Sequence, residues 1–260
     1  MSGTIFTPAP SLDDVRNGSS LLQAGQKGDS VARVQLLLGI FDDGKFGQHT
    51  KGAVVAFQQA QEIEVNPGEE GKIGSATLAA LEAANATLLT SLAKIDGRNK
   101  TNHIHPSLRR SLADLAEALA EHQMKALITD GFRTFKEQDD LFAQGRTKPG
   151  PIVTKARGGL SNHNYGLAVD LYPMIDGKVF VSIPEGASQE FTKLFTAIQR
   201  TIIDEAEGLG LHSGVHFSFV DPPHLQLLGE NELKPRTCLN IFQSNSNSFD
   251  AVWDEASRRL

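Results

Sequence analysis

Residues 161–170, which read Ser-Asn-His-Asn-Tyr-Gly-Leu-Ala-Val-Asp, constrain this chain more than any other stretch. Small polar residues at the start predict a loop, and the apolar residues around Asp170 predict a strand that follows it. A second segment, Asp-Pro-Pro-His at residues 221–224, carries another imidazole and another carboxylate. We therefore expect a fold that brings His163, Asp170 and His224 together.

These three side chains have the composition of a catalytic metal site. Two histidines and one carboxylate, with no cysteine nearby, are the ligand set of a catalytic zinc, which keeps a fourth position open for water. With three ligands assigned, the Asp221 carboxylate is not needed to bind the metal. The two prolines that follow it stiffen the backbone and lack N–H donors, so its carboxylate can be directed at the water as a general base. Each residue alone also fits an ordinary structural role, and the prediction depends on their combination.

A cation for the same site is predicted in Asp-Gly-Phe-Arg-Thr, residues 130–134. The preceding residues 126–129 predict a strand, and Thr134 with Glu137 has the Thr-x-x-Glu form of a capping box that opens a helix. Arg133 therefore lies at a strand-to-helix junction. A guanidinium there can hold a substrate carbonyl or carboxylate and stabilise an oxyanion.

These motifs together resemble a known family of zinc peptidases. The matching segments are residues 130–134, 137–138, 141–154, 161–170 and 221–224. The family includes D-alanyl-D-alanine carboxypeptidases of the VanX and VanY type and L-alanyl-D-glutamate endopeptidases of phage endolysins. The Gln-Gly-Arg-Thr-x-Pro-Gly run is closest to the endopeptidase branch. The resemblance spans roughly residues 104–230 and implies zinc as the cofactor and peptidoglycan as the substrate.

By this resemblance, the zinc ligands are His163, Asp170 and His224. It also implies that Asp221 is the base and that Arg133 stabilises the transition state, as the residue types indicate. It adds Ser161 as a supporting hydrogen-bond donor and Gln138 as a second supporting residue. In one departure, a Trp-Gly-Gly-like stretch expected before Asp-x-Pro-His is replaced by Leu-His-Ser-Gly-Val-His-Phe at residues 211–217. His212 and His216 are predicted to support the ligands or contact substrate, because a fourth protein ligand would block the open position.

The N-terminal part of the chain contains an internal repeat. Residues 43–50 read Asp-Gly-Lys-Phe-Gly-Gln-His-Thr, residues 70–77 read Glu-Gly-Lys-Ile-Gly-Ser-Ala-Thr, and a helical pattern follows each copy. With an earlier helix through Val31 and Leu38, the repeat predicts a three-helix bundle. This pattern resembles the peptidoglycan-binding domain often joined to wall hydrolases, whose role would be to hold the catalytic part on its polymeric substrate. The alternative is a helical bundle without a ligand.

We expect an α+β chain, in which an N-terminal three-helix bundle precedes a catalytic domain with a small antiparallel sheet and helices. The predicted parts are a flexible arm at 1–23, the peptidoglycan-binding bundle at 24–84, a linker at 85–103, the zinc peptidase domain at 104–230 and a C-terminal tail of unknown role at 231–260.

Apolar periodicity predicts the elements of the catalytic domain. Leucines at positions 108, 112, 115 and 119 predict an opening helix, and an apolar stripe predicts a longer helix at about 188–207. Strands are predicted at 126–129, 169–172, 178–183, 215–220 and 224–227. A short helix in the tail is expected to dock on the catalytic domain. His103 and His105 are predicted to be surface residues.

Composition excludes several classes of protein. A net charge of −6 without a basic stripe argues against nucleic acid as a partner. The single cysteine, Cys238, permits neither an intrachain disulfide nor a cysteine-based metal site. No segment approaches the roughly twenty apolar residues of a membrane span. The N-terminus lacks the pattern of a secretory signal, so we expect synthesis in the cytoplasm and delivery to the wall by holin release or a secretion machine.

The leading hypothesis is a zinc-dependent peptidoglycan hydrolase that cleaves the L-Ala–D-Glu bond of the stem peptide, as an endolysin or an exported antibacterial effector. One alternative within the same fold is a D-Ala-D-Ala carboxypeptidase or D,D-endopeptidase. Another is a wall-binding protein with zinc and no catalysis, although Asp221 would then have no use as a base. An exported toxin would also have an immunity protein as its partner.

Overall fold

The structure is a computed structural model that describes residues 5–229 and 232–260. The chain divides into two units, residues 1–87 and 88–260, which are described in turn. In the described ranges, no helix combines the length and the apolar character that a membrane crossing requires.

Three helices form most of the first unit, as predicted. They are α2 (Asp29–Leu38), α3 (Gln48–Ala60) and α4 (Ser75–Leu92), and the boundary with the second unit falls within α4. Apolar residues from each helix, among them Val34, Val54 and Leu78, are fully buried.

The sequence repeat has a structural counterpart in two buried glutamines. The Gln35 side-chain amide donates to Thr50 Oγ1 at 3.0 Å, and its carbonyl accepts the N–H of the loop glycine at 2.8 Å. One repeat later, the Gln58 amide donates to Thr77 Oγ1 at 3.1 Å and accepts the equivalent glycine N–H at 3.0 Å. Each glutamine thereby ties the end of one helix to the start of the next.

The segment predicted as a flexible arm, described from residue 5 onward, instead contributes a strand, a short helix and buried residues to the first unit, although Ile5 itself is 90% exposed. Strand β1 (Thr7–Pro8) pairs in parallel with β2 (Gln26–Lys27), and a short helix α1 (Leu12–Arg16) lies between them in sequence. Val15 and Leu22 are fully buried. Two isolated apolar residues among polar ones gave no periodicity from which this packing could be predicted.

The predicted linker, residues 85–103, is also more structured than expected. Helix α4 continues to Leu92, and Ile95 after it is buried. The Asp96 carboxylate then accepts the backbone N–H of Thr101 at 2.8 Å, which holds the loop in a turn. Polar residues of the predicted linker therefore form a hydrogen-bonded turn, as Asp and Asn often do.

The second unit is an antiparallel sheet with helices. The strand order is β3-β4-β7-β6, with β5 also paired to β4. The strands are β3 (Lys125–Asp130), β4 (Ala168–Ile175), β5 (Lys178–Val179), β6 (His212–Ser213) and β7 (His224–Gln226). Helices α5 (Pro106–Glu121) and α7 (Gln189–Gly208) pack on each other and on the sheet. The α+β prediction is confirmed.

Two predicted strands differ from the structure. The strand predicted at 178–183 is limited to β5, and the segment 215–220 forms no strand. A short 3-10 helix (Gly214–His216) begins there, and Phe219 and Val220 after it are exposed. Alternating apolar residues predicted a strand, but no neighbouring strand is available to pair with them.

The predicted helices are largely confirmed. Helix α5 buries its four leucines, and α7 begins after the predicted Ser188, whose hydroxyl accepts the Phe191 N–H. Within α7, Phe195 is buried, whereas Leu194 beside it is 45% exposed. Helix α6 (Phe135–Ala143) opens with the predicted capping box.

The described part of the predicted tail forms two helices, while residue 231 lies outside the described ranges. Helices α8 (Pro235–Ser244) and α9 (Phe249–Ser257) pack together, and α9 contacts the 3-10 turn Asn162–Tyr165. The tail is therefore part of the second unit, as its apolar face predicted.

His105 is not the surface residue predicted, because it is 2% exposed. Its Nδ1 accepts the Ser107 N–H at 3.1 Å and caps α5, and its Nε2 lies 3.0 Å from Ser257 Oγ on α9. Burial lowers the pKa of His105 to about 4. The surface prediction for His105 was wrong because the residues around it in the sequence are polar, although the folded chain buries its imidazole.

Candidate metal centre and active site

The sheet register brings the three predicted ligands together. Asp170 on β4 stands between Asp130 on β3 and His224 on β7. His163 enters from the 3-10 turn that precedes β4. Its Nε2 lies 3.2 Å from His224 Nδ1 and 3.3 Å from Asp170 Oδ1, and the latter two atoms are 3.5 Å apart.

This triangle has the dimensions of a metal site. A tetrahedral zinc with bonds of about 2.0–2.1 Å holds its ligand atoms about 3.3–3.4 Å apart. Within the described residues, these three side chains are the group of histidine and acidic residues close enough to share one ion. The observed spacings therefore fit a single divalent cation with room for a further ligand.

The tautomer of His163 is fixed by its outer nitrogen. Nδ1 lies 2.8 Å from the Gly131 carbonyl oxygen, which can only accept, so Nδ1 carries a proton and Nε2 is the nitrogen available to a metal. A side chain at Gly131 would overlap the Lys100 carbonyl, so the strand end can take this path only as glycine. The backbone of the strand-to-helix junction thus orients one ligand.

His224 is oriented by a second chain of hydrogen bonds. Gln226 Nε2 donates to the Leu228 carbonyl at 2.6 Å, so Gln226 Oε1 must face His224. That oxygen accepts from His224 Nε2 at 3.1 Å and from Asn162 Nδ2 at 2.8 Å. His224 Nδ1 is therefore the nitrogen available to a metal and faces the other two ligand atoms, an arrangement typical of metal-binding histidines.

Asp170 completes a set of three acceptors that face one another. Its Oδ1 is buried and has no hydrogen-bond donor among the described residues. Burial opposes ionisation, but His163 and His224 hold the pKa of Asp170 well below its usual range. Burial also opposes the charge of His163, but Asp170 raises the pKa of that imidazole. Three such groups that face one another need a proton or a cation between them, and the donor set fits zinc.

Asp221 lies beside this centre and shares its cleft. The backbone N–H of Asp221 donates to the Gly214 carbonyl at 2.9 Å, and its own carbonyl accepts the His224 N–H at 3.1 Å. A Cβ at Gly214 would overlap the Asp221 carbonyl, so the close approach requires glycine. Burial raises the pKa of Asp221, and the like charge of Asp170 raises it further.

Arg133 is held from two sides at the predicted junction. Its Nε donates to Asp130 Oδ2 at 3.0 Å, Nη2 contacts the same oxygen, and Nη1 donates to Gln138 Oε1 at 2.7 Å. Nη2 also lies 3.7 Å from Asp170 Oδ2. The guanidinium is thus fixed beside the metal ligands and lines the same cleft.

The two predicted supporting residues have different surroundings. Gln138 is fully buried, and its Nε2 donates to the Ala156 carbonyl at 2.9 Å and to Thr154 Oγ1 at 3.3 Å. It therefore connects Arg133 to the loop that forms one wall of the cleft. Ser161 lines the cleft at the start of the 3-10 turn, where its N–H lies 3.3 Å from Asn164 Oδ1.

The structure does not place the two extra histidines at the metal centre. His212 Nε2 lies 3.6 Å from Glu232 Oε2, and His216 Nε2 lies 2.7 Å from Glu207 Oε1. Both side chains are exposed. The residues that do orient the ligands, Gln226 above all, were missed by sequence reasoning, although Gln226 is two residues after His224 and so on the same face of its strand.

The centre opens into a cleft of about 880 Å³. The residues that line it come from the loop around Thr154 and Lys155, from the segment Phe217–Phe219 and from the start of α8. A peptide-sized ligand can therefore reach a site that contains a metal triad, a free carboxylate and an anchored guanidinium.

Comparison with known proteins gives matches in both units. Residues 101–203 match the family model described as VanY, D-alanyl-D-alanine carboxypeptidase, and residues 28–81 match that of a putative peptidoglycan binding domain. The chain is 39% identical over 127 residues to the peptidoglycan L-alanyl-D-glutamate endopeptidase CwlK of Bacillus subtilis (strain 168). That alignment covers 48% of this chain and 74% of CwlK.

The solved structures that match the chain include two peptidoglycan enzymes. The Serratia marcescens L-Ala D-Glu endopeptidase ChiX is 20% identical with a TM-score of 0.35, over 54% of this chain and 95% of that one. A vancomycin resistance D,D-pentapeptidase VanY in complex with Zn(II) is 16% identical with a TM-score of 0.36, over 57% of this chain and 83% of that one.

Proposed function

Because the chain belongs to the family of peptidoglycan peptidases that contains the endopeptidase CwlK, we propose that it is a zinc-dependent hydrolase of the L-Ala–D-Glu bond in the stem peptide. The observation that carries the proposal is the convergence of three possible metal-ligand atoms, within 3.5 Å of one another, on a cleft that also holds Asp221 and Arg133. The relative with 39% identity has this specificity in its name.

His163, Asp170 and His224 would hold the zinc. When bound, zinc supplies the Lewis acidity that activates water and polarises a carbonyl. The protein's contribution is to orient both histidines, through the Gly131 carbonyl and the Gln226 amide. Such outer contacts make a site ready for the metal before it binds.

Asp221 would transfer the proton, and Arg133 would stabilise the negative charge of the transition state. The Asp221 carboxylate takes the proton from the attacking water and can then deliver it to the departing amine nitrogen. The Arg133 guanidinium, held by Asp130 and Gln138, donates to the carbonyl oxygen as negative charge develops on it. Because its partners fix the group in advance, little reorganisation is needed during the reaction.

The second candidate is a carboxypeptidase that removes terminal D-Ala, favoured by the match of residues 101–203 to the VanY model. In that reaction Arg133 would meet a free terminal carboxylate beside the scissile bond. A wall-binding protein without catalysis would have no use for Asp221 beside the metal ligands.

Mass spectrometry of purified peptidoglycan after digestion tests the proposal. Wild type with one equivalent of zinc is expected to expose new N-terminal D-Glu, whereas Asp221→Asn, still loaded with zinc, is expected to leave the wall intact. Loss of D-Ala alone would support the carboxypeptidase. An unchanged wall that nevertheless binds wild type would refute catalysis.

We also propose that the first unit targets the enzyme to the wall, on the basis of the match at residues 28–81. Co-sedimentation with insoluble peptidoglycan should retain more of the full chain than of a chain that begins at residue 88. Equal retention of the two would count against targeting. The endolysin or effector role, the delivery route and an immunity protein stay predictions.

A further inference from the structure

The outer part of the cleft carries exposed positive charge. Lys155, Lys234 and Arg236 all line it and all are exposed. Lys155 lies over the Phe219 ring, with its Nζ 4.8 Å from the ring centroid. For the other two cations, the described part of the chain provides no ion-pair partner, whereas Arg133 deeper in the cleft is bound by a carboxylate.

The stability of helix α8 does not explain why Lys234 and Arg236 stand at its start. Lys234 is the N-cap residue and Arg236 the second residue of that helix, and no side chain caps it. The partial positive charge of a helix N-terminus repels cations, and acidic residues are the ones that stabilise this position. In a chain with a net charge of −6, two cations at an unfavourable helix end beside the cleft indicate a role in the cleft.

The chemistry of the substrate supplies an anion at the right place. Glutamate has two carboxyl groups, and the peptide chain continues through only one of them. Unless it is amidated, the glutamate of an L-Ala–D-Glu bond therefore carries a free carboxylate, next to the nitrogen released by cleavage when the chain continues through the γ-carboxyl group. Lysine and arginine bind carboxylates through charge-assisted hydrogen bonds.

We propose that Lys234 and Arg236 form the subsite for the free glutamate carboxylate of the stem peptide. This inference rests on the proposed function, because it assigns the glutamate to the leaving side of the scissile bond. It makes the C-terminal helix α8 part of the substrate-binding machinery, outside the stretch matched by the family model. The subsite distinguishes substrates with a free glutamate carboxylate from those in which it is amidated.

The test compares two synthetic peptides, N-acetyl-L-Ala-γ-D-Glu-L-Lys and its counterpart in which the free glutamate carboxylate is a carboxamide. Affinities are measured by calorimetry with the zinc-loaded full chain carrying Asp221→Asn, so that cleavage does not interfere. Loss of a charge-assisted contact should weaken binding by about tenfold or more. Lys234→Gln with Arg236→Gln should therefore weaken the carboxylate peptide about tenfold and change the amide peptide less than about twofold.

A matched control removes the same charge elsewhere. Lys193→Gln with Arg200→Gln changes two exposed cations on α7, outside the cleft, and should leave the peptide preference unchanged. If the α8 variant weakens both peptides equally, or neither, the subsite assignment is wrong. Mass spectrometry of the wild-type products tests the proposed function separately. Cleavage at another bond would overturn the proposed function, but it would not alter the measured difference in affinity between the two peptides.

Discussion

Trp253 donates its indole N–H to the backbone carbonyl of Tyr165 over 2.8 Å, and so joins the C-terminal helix to the turn that carries His163, a proposed metal ligand. Tyr165 is two residues after His163 in the same 3-10 turn. Its hydroxyl in turn donates to the Gly159 carbonyl at 2.8 Å. The position of the ligand loop therefore depends on a segment far away in sequence.

Trp253→Phe is expected to destabilise the second unit. The substitution keeps an aromatic ring but leaves the Tyr165 carbonyl buried without its donor, which costs about 1–3 kcal/mol. Urea unfolding followed by circular dichroism measures the free energy of unfolding. Arg258→Ala on the same helix removes an exposed ion pair and should stay within about 0.5 kcal/mol of wild type. Equal effects of the two variants would show that the indole hydrogen bond is unimportant.

The zinc affinity is expected to depend on Gln226. Gln226→Leu removes the acceptor of His224 Nε2, so the imidazole can rotate or change tautomer, and affinity should fall about 10–100-fold. Gln226→Glu keeps an acceptor oxygen and should retain more of the affinity than the leucine variant. Competition with a fluorescent zinc chelator measures both. If the leucine variant binds zinc as wild type does, Gln226 does not orient His224.

The three residues that meet at the candidate metal centre could be predicted from sequence, but the atoms that orient them could not. His163, Asp170 and His224 stand in compact motifs of chemically distinctive residues. The Gly131 carbonyl and Gln226 act through backbone direction and strand register, which only the folded chain determines. Generic residues such as these carry no chemical signal of their own.

The fold shows the same division between periodic and non-periodic sequence. The leucine face of α5 and the stripe of α7 predicted their helices because tertiary contacts reinforce the pattern. The segment 215–220 alternates like a strand, yet strand formation requires a partner edge, which periodicity does not reveal. The buried Val15 lacked a pattern because its helix is only five residues long.

Arg133→Lys is expected to lower kcat more than it changes KM. A lysine can replace the charge, but its single ammonium cannot contact Asp130 and Gln138 together while facing the substrate oxygen. Removal of one transition-state donor typically costs about 10²–10³ in kcat. Steady-state kinetics on the stem peptide gives both constants. A raised KM with unchanged kcat would mean that Arg133 binds the substrate equally in both states.

His105 is expected to make stability depend on pH. In the unfolded chain this imidazole takes up a proton near pH 6.5, whereas in the folded chain burial lowers its pKa to about 4. The unfolded state therefore binds more protons between these values. Stability is present in full above about pH 6.5 and is lost as the pH falls toward about 4, by about 3 kcal/mol in total.

The single tryptophan makes this loss measurable. The rings of His105 and Trp253 have centroids 5.5 Å apart, so tryptophan fluorescence reports unfolding of the unit that contains both. Urea unfolding from pH 7.5 to 4.5, with a chelator to keep metal away from the other histidines, compares wild type with His105→Asn. Asparagine can still cap α5 but does not titrate, so the variant should lose less stability over this range. Parallel curves for the two proteins would place the pH dependence at other groups.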